Sequence, residues 1–231
     1  MPGARAVCIS AVTVPARVST NVSFIGKMDS PQIYAPKAIA PAMQMIKGFV
    51  QSRISEGIQF NIGDTIQCSW MWLRVGADEK GETSILGPKT GVMPMCFVTD
   101  CSEALNLVIT QRYVCDSFGV ECGWCNARQS AIVIKDVADC QKLFMNRTEG
   151  AKGNASGWFF GASDTKLDVN DSDSLELKSL WQLSCEFPQS RDFFLLPQGW
   201  QVVFENRPVV LRDFKAVGAQ PDSYYVAKYQ S

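Results

Sequence analysis

Cysteine is the side chain with the widest chemical range in this sequence, and histidine is absent. The chain of 231 residues contains nine cysteines and no histidine. The commonest general base and the commonest zinc ligand are therefore missing, which excludes the Ser-His-Asp and Cys-His mechanisms. Any catalysis would have to rely on carboxylates, lysines or cysteines alone. The odd number of cysteines, at irregular spacing, is typical of a protein kept in a reducing compartment.

The sequence contains one C-x-x-C motif, Cys122-Gly-Trp-Cys125, and three interpretations of it are open. A zinc site could add Cys115 and Cys140, but these two do not form the second C-x-x-C pair of a zinc ribbon. A thioredoxin-like redox pair is expected where a strand enters a helix of a βαβ unit, and that pattern is missing here. Chance spacing in a cysteine-rich chain is the favoured interpretation, so neither a metal site nor a cofactor is predicted.

Carboxylates are concentrated in one short stretch. Five of them lie within thirteen positions, balanced only by Lys166: Asp164, Asp168, Asp171, Asp173 and Glu176. A calcium loop beginning at Asp168 would need glycine at position 173 and glutamate at position 179, where this chain has Asp173 and Ser179. The calcium-loop pattern therefore fails. We expect the five acidic residues to form either a solvated loop or a contact surface for a basic partner.

Composition narrows the class of protein further. The chain has 22 basic and 23 acidic residues, a net charge of −1, which argues against nucleic-acid binding. An apolar content of 46% with 19% charged residues is that of a globular protein with a sizeable core. No run of eighteen apolar residues occurs, so no membrane-spanning helix is predicted. These features predict a cytoplasmic protein that binds neither nucleic acid nor membrane.

The first half of the chain predicts two helices, a pair of strands and a further short strand at residues 95–99. Apolar residues recur at helical spacing over residues 43–54, and a second helix is expected to begin near residue 102. Period-two alternation over residues 65–75 predicts one strand, with a partner strand at residues 82–86. The residues on the buried face of the first strand would be Ile66, Cys68, Trp70 and Trp72.

The second half predicts a sheet of short strands. They are expected at residues 131–134, 143–147, 157–161, 200–205 and 209–212. Apolar spacing in residues 175–185 indicates a short helix, and the last residues are expected to form a tail laid on the surface through its tyrosines. Trp158 is expected in the core. The predicted fold class is α+β, a mainly antiparallel sheet with a few short helices packed on one face.

Prolines and motif positions suggest three parts of the chain. Residues 1–40 are expected to be a flexible leader and linker, because prolines punctuate the linker and Pro15 and Arg17 interrupt any signal-peptide core. Residues 41–130 are expected to form an N-terminal α+β region of unassigned type. Residues 131–231 are expected to form a second α+β domain with a C-terminal tail.

Three separated segments of the second half carry a family resemblance. They contain the runs SGWFFG, LELKSLWQL and LLPQGWQVVFE, in that order. Together they resemble the thirty-third numbered family of immunity proteins of bacterial polymorphic toxin systems, formerly a domain of unknown function. The matching residues are Ser156, Gly157, Trp158, Gly161, Asp164, Leu180, Pro188, Leu196, Pro197, Gly199, Phe204 and Glu205. The chain departs from the pattern at Ala155 and at Ala162-Ser163, where the family often has acidic residues.

This resemblance, over about residues 131–205, implies a compact α+β domain that binds and blocks a cognate toxin. Such toxins are effectors delivered by neighbouring bacteria, for example through type VI secretion, and many are basic. The resemblance therefore implies a non-catalytic protein with a protein partner, and it makes the five acidic residues the predicted partner-binding site. The alternatives are a regulatory or structural adaptor and a cysteine-based redox or zinc-binding protein.

Overall fold

The computed structural model describes residues 40–230, which divide into two compact units. The first unit comprises residues 40–89 and Cys96–Leu105, and the second comprises Thr90–Met95 and residues 106–230. Each unit contains a sheet, and the larger sheet is mostly antiparallel. The predicted α+β class is confirmed. The predicted boundary at residue 130 stays a prediction.

The first unit contains a four-stranded antiparallel sheet in the order β1-β2-β3-β4. Its elements are α1 (Ala40–Ser55), β1 (Thr65–Cys68), β2 (Met71–Ala77), β3 (Thr83–Pro88) and β4 (Phe97–Val98). The buried residues of this sheet include Ile66, Leu73, Val75 and Ile85. Helix α2 (Ser102–Ser117) follows, and the Asp100 carboxylate accepts a hydrogen bond from the Ser102 amide at 2.9 Å.

The single strand predicted over residues 65–75 is wrong. The chain reverses after Cys68, and β1 pairs with β2 so that Cys68 lies opposite Met71. Ser69 adopts a left-handed φ of 54°, which a tight turn requires and an extended strand forbids. Trp72 therefore lies opposite Gln67, on the other face from Cys68.

The second unit contains a seven-stranded sheet. Its strands are β5 (Ser130–Ile134), β6 (Leu143–Arg147), β7 (Ala155–Ala162), β8 (Leu175–Ser179), β9 (Trp200–Phe204), β10 (Pro208–Arg212) and β11 (Lys215–Ala216). They are ordered β11-β10-β9-β6-β7-β5-β8, and β5 and β7 form a parallel pair. The helical elements are α3 (Leu180–Glu186), a 3₁₀ segment (Pro188–Phe193) and α4 (Tyr224–Tyr229).

One face of this sheet, here called the inner face, carries the core. Register aligns five buried residues in one row across neighbouring strands: Val133, Phe160, Met145, Val202 and Val210. Helical segments cover them, since Phe193 packs on Phe204 at 5.9 Å between ring centres and Phe118 packs on Trp200 at 5.9 Å. The interlocked rings bury a large apolar area, which is the main source of stability in such a domain.

The single helix predicted over residues 175–185 is wrong. These residues form strand β8 followed by helix α3. Ser179 separates the two as a helix N-cap. Its Oγ accepts a hydrogen bond from the Gln182 amide, and Gln182 Oε1 accepts one from the Ser179 amide. This reciprocal capping box fixes the start of the helix, so the preceding residues are free to pair with β5.

The C-terminal tyrosines do not simply lie on the surface. Tyr225 in α4 is buried and packs against Phe118 at 4.8 Å between ring centres. Asp192, itself mostly buried, accepts hydrogen bonds from Lys228 Nζ at 2.6 Å and from the Tyr229 hydroxyl. The prediction of a surface tail is therefore wrong for Tyr225, because its ring completes the aromatic core under the sheet.

Candidate partner-binding surface

Arg147 is the buried centre to which the separated motifs attach. This last residue of β6 is only 4% exposed. Its Nη1 donates to the carbonyl oxygens of Gly123 and Leu196, both at 2.7 Å, and its Nη2 donates to the Trp124 carbonyl at 3.0 Å. Its Nε donates to the Ser156 carbonyl at 3.1 Å. Four carbonyl dipoles thus compensate a buried guanidinium without a carboxylate.

Glycines are required around this centre because neighbouring atoms leave no room for a side chain. A Cβ at Gly123 would lie 2.6 Å from Arg147 Nη1 and 2.7 Å from Pro197 Cα. Gly157 has a left-handed φ of +82°, and a Cβ there would lie 2.9 Å from the Thr148 carbonyl oxygen. Gly157 of the S-G-W segment and Gly123 of the C-x-x-C loop are therefore needed for close packing of the fold.

Trp158 lies beside the same centre and is 1% exposed, which confirms its predicted place in the core. Its Nε1 donates to the Phe194 carbonyl at 3.0 Å, and the Arg147 guanidinium lies 5.7 Å from the centre of its ring. Ser156 Oγ accepts a hydrogen bond from the Trp158 amide and donates one to the Ser130 carbonyl. The S-G-W segment of the family resemblance therefore packs and hydrogen-bonds on the inner side of the sheet.

The sequence interpretation missed Arg147. It assigned the strand over residues 143–147 correctly but gave no role to the charged residue that ends it. The one available signal is an arginine at the end of a predicted strand, one residue after an apolar run. Its acceptors lie up to 49 positions away in sequence, so local spacing could not reveal them.

The four cysteines of the zinc interpretation do not converge. Cys115 Sγ donates to the Leu195 carbonyl at 3.2 Å and Cys125 Sγ to the Phe194 carbonyl at 3.1 Å, whereas Cys140 Sγ donates to the Asp136 carbonyl at 3.4 Å. Within residues 40–230, no group of three or more cysteines and carboxylates is arranged to hold a metal ion.

Thiol chemistry differs sharply between the two cysteines of the C-x-x-C motif. Burial raises the pKa of Cys125 to about 12. Hydrogen bonding between the side chains of Cys115 and Cys122 raises the pKa of Cys115 and lowers the pKa of Cys122. The thiol of Cys122 therefore ionises more readily than an ordinary cysteine, while Cys125 behaves as a small buried apolar residue.

Asp164 attaches the acidic stretch to the end of the sheet. Its carboxylate accepts hydrogen bonds from the backbone amides of Gln141 and Lys142, at 3.0 and 3.1 Å. These bonds, that of Gln141 foremost, hold the pKa of the Asp164 carboxyl below its ordinary value. Asp136 holds the next residues, since its carboxylate accepts from Thr165 Oγ1 at 2.7 Å.

Asp168 and Asp171 build local turns within the same loop. Asp168 Oδ1 accepts from the amide of Asn170 at 2.9 Å. Asp171 Oδ1 accepts from the amide of Asp173 at 2.9 Å and caps a 3₁₀ turn there. Both aspartates are nevertheless exposed, so each carboxylate holds the loop and also presents its charge to solvent.

Asp173 and Glu176 complete the predicted site at the start of β8. Lys135 Nζ donates to the backbone carbonyl of Asp173 at 2.5 Å, which ties the loop to the end of β5. Glu176 lies 3.2 Å from Lys178 Nζ, so its charge is partly paired. Partial burial and the neighbouring carboxylates of Asp136, Asp164 and Asp139 raise the pKa of Cys140, which shows that acidic groups crowd this end of the sheet.

The predicted acidic residues thus lie along one end of the large sheet rather than scattered over the surface. We call the segment from Asp164 to Glu176 the acidic loop. Its two ends are fixed to the segment before β6 and to the end of β5. The arrangement is a preorganised, negatively charged surface.

Comparison with known families finds a match in the second half of the chain. Residues 110–213 match the model of the Imm33-like domain family. The match confirms the family resemblance in the second half of the chain. The Imm33-like region includes β5 to β10, Arg147, Trp158 and the whole acidic loop. No curated protein and no solved structure matches the chain.

None of the helices between residues 40 and 230 is long and apolar enough to cross a membrane.

Proposed function

We propose that this protein is an immunity protein that binds and neutralises a cognate bacterial toxin in the cytoplasm and catalyses no reaction. The observation that carries the proposal is the Imm33-like match over residues 110–213. The absence of histidine from the chain supports a binding role rather than a hydrolytic one. Toxin neutralisation needs a rigid scaffold that covers a complementary surface, and the bonded centre at Arg147 supplies such rigidity.

The acidic loop is the proposed contact surface for the toxin. Its backbone is held by the side chains of Asp164, Asp168 and Asp171, so little conformational entropy is lost when a partner binds. A cluster of exposed carboxylates favours a partner with lysines and arginines at the contact. Such charge complementarity accelerates association and weakens as salt screens it.

The test of the function is binding and protection. We expect the gene adjacent to this one to encode the toxin. Its product, made as an inactive variant, should co-purify with this protein and bind it in calorimetry. Cells that produce the active toxin should survive when this protein is present. A toxin that neither binds nor loses activity in the presence of this protein would refute the proposal.

The test of the acidic loop uses amide substitutions, which keep the hydrogen-bond acceptors of the turns. Asp168→Asn, Asp171→Asn and Asp173→Asn, combined, should weaken toxin binding by at least about tenfold and flatten its salt dependence. A control with the same change in charge combines Glu79→Gln, Glu82→Gln and Asp213→Asn, exposed positions elsewhere in the chain. Equal affinity of both triple variants would remove the acidic loop from the interface.

A further inference from the structure

The face of the large sheet opposite the core, here called the outer face, carries an apolar band. Strand register aligns Leu177, Ile132 and Phe159 in one row across β8, β5 and β7. A second row aligns Phe144, Val203 and Val209 across β6, β9 and β10. Side chains alternate between faces, so these six lie opposite the buried row that contains Val133 and Phe160.

The two rows form one continuous surface. The rings of Phe144 and Phe159 approach to 6.0 Å between centres, which joins the first row to the second. Gly161 permits this contact, because a Cβ there would lie 2.6 Å from the Phe159 ring and 2.8 Å from the Phe144 ring. The apolar band therefore crosses six strands without interruption by a charged side chain.

The apolar band is open to solvent. Leu177 is 71% exposed and Ile132 is 44% exposed, and the other four members are partly exposed. One exposed apolar side chain is ordinary, but a contiguous patch on a flat sheet face is typical of an interaction site. Glu176 and Lys178, which flank Leu177, point to the inner side of β8, where Lys178 pairs with Glu186 at 2.7 Å. The acidic residues beside the band are therefore those that precede Glu176.

The acidic loop borders the apolar band. Asp173 precedes Leu177 by four residues, at most about 13 Å even if the chain were fully extended. Asp164 is bonded to the Lys142 amide, two residues before Phe144. An apolar centre with a charged rim is the usual anatomy of a specific protein interface.

We propose that the apolar band and the acidic loop form one interface, whose partner is a toxin surface with an apolar patch bordered by lysines and arginines. This inference rests on the function proposed above. A second copy of this chain would bring another acidic loop to the same contact and gain no charge complementarity. A basic protein gains both the apolar burial and the opposite charges, and the apolar band then supplies most of the affinity.

The experiment uses threonine substitutions, which preserve the preference for strand structure. Leu177→Thr and Ile132→Thr should each weaken binding of the inactive toxin from the neighbouring gene by about tenfold or more. Ile62→Thr is the matched control, because Ile62 is 66% exposed and lies in the other compact unit. Thermal unfolding and circular dichroism should be unchanged in all three variants, and sedimentation should show a monomer throughout.

The results separate this inference from the proposed function. If both band variants bind within about twofold of the wild type while the acidic-loop variant binds weakly, the inference fails and the proposed function stands. If the wild type does not bind the toxin, the proposed function fails and the inference falls with it. If the wild type sediments as a dimer that Leu177→Thr dissociates, a second copy covers the band and the inference is wrong.

Discussion

Replacing Arg147 with methionine removes the buried guanidinium and keeps an unbranched apolar stem of similar length. In the wild type, Nη1 and Nε donate to the carbonyls of Leu196 and Ser156, both deeply buried. Nη1 and Nη2 also donate to the carbonyls of Gly123 and Trp124, which are part-buried. The substitution leaves all four acceptors without this donor.

The expected loss of stability depends on how many of the four carbonyl acceptors become accessible to water in the variant. An orphaned buried carbonyl costs about 1–3 kcal/mol, so the acceptors on Leu196 and Ser156 together cost roughly 2–6 kcal/mol. Water can hydrate the two part-buried carbonyls, and methionine avoids the cost of desolvating a cation, several kcal/mol in itself. Because this relief offsets part of that cost, we expect Arg147→Met to lower the free energy of unfolding by about 2–4 kcal/mol.

Urea unfolding, followed by tryptophan fluorescence and circular dichroism, measures this change directly. At about 2–4 °C per kcal/mol for a chain of this length, the melting temperature should fall by roughly 4–16 °C. Arg212→Met is the control, since Arg212 is largely exposed and its contact with Asp213 is 4.0 Å long. That control should change stability by less than about 0.5 kcal/mol.

A loss below about 1 kcal/mol for Arg147→Met would refute the interpretation of this residue as the structural centre of the motifs. Apolar packing alone would then hold the C-x-x-C loop to the sheet. A loss confined to toxin binding, with unchanged stability, would instead assign Arg147 to the interface.

Two further predictions concern glycine and cysteine. Gly123→Ala should destabilise the protein by about 1–3 kcal/mol in urea unfolding, because the new methyl group would clash with Arg147 Nη1 and Pro197 Cα. Gly48→Ala is the control, since Gly48 lies in α1 and a Cβ there would have no atom within 4 Å. It should stabilise the protein by about 0.5–1 kcal/mol, because alanine favours helix more than glycine does. A destabilising Gly48→Ala or a neutral Gly123→Ala would contradict these packing distances. Iodoacetamide near neutral pH should alkylate Cys122 well before Cys125, because the pKa of Cys122 is lowered and that of Cys125 is raised to about 12. Mass spectrometry of the peptides measures the order, and equal rates would show that the loop opens.

The local sequence pattern predicted an element correctly where the residues of that element alone determine its structure. The strand predicted over residues 143–147 coincides with β6, and the core position of Trp158 is confirmed. Both depend on short runs of apolar and aromatic residues, which favour strands and become buried in a sheet. The local signals failed where a turn or a cap breaks a continuous pattern, as at Ser69 and at Ser179.

The acidic loop shows how much of the candidate site can be predicted from residue types alone. The sequence placed five carboxylates close together, but it did not show that Asp164 and Asp171 also hold backbone amides. Nor could it show that the loop borders an apolar band, because strand order decides which residues become neighbours. Leu177 and Phe144 lie 33 positions apart in sequence and belong to one surface only after the sheet has formed.

By itself, the amino-acid sequence determined the α+β class, the family resemblance of the second half, the absence of histidine chemistry and the acidic character of one loop. These properties depend on composition and local spacing, which are unchanged by folding. The tertiary structure alone decided that a buried Arg147 joins the motifs and that an apolar face lies beside the acidic loop. Both require contacts between residues distant in sequence, whose partners follow from strand register and packing rather than from local preference.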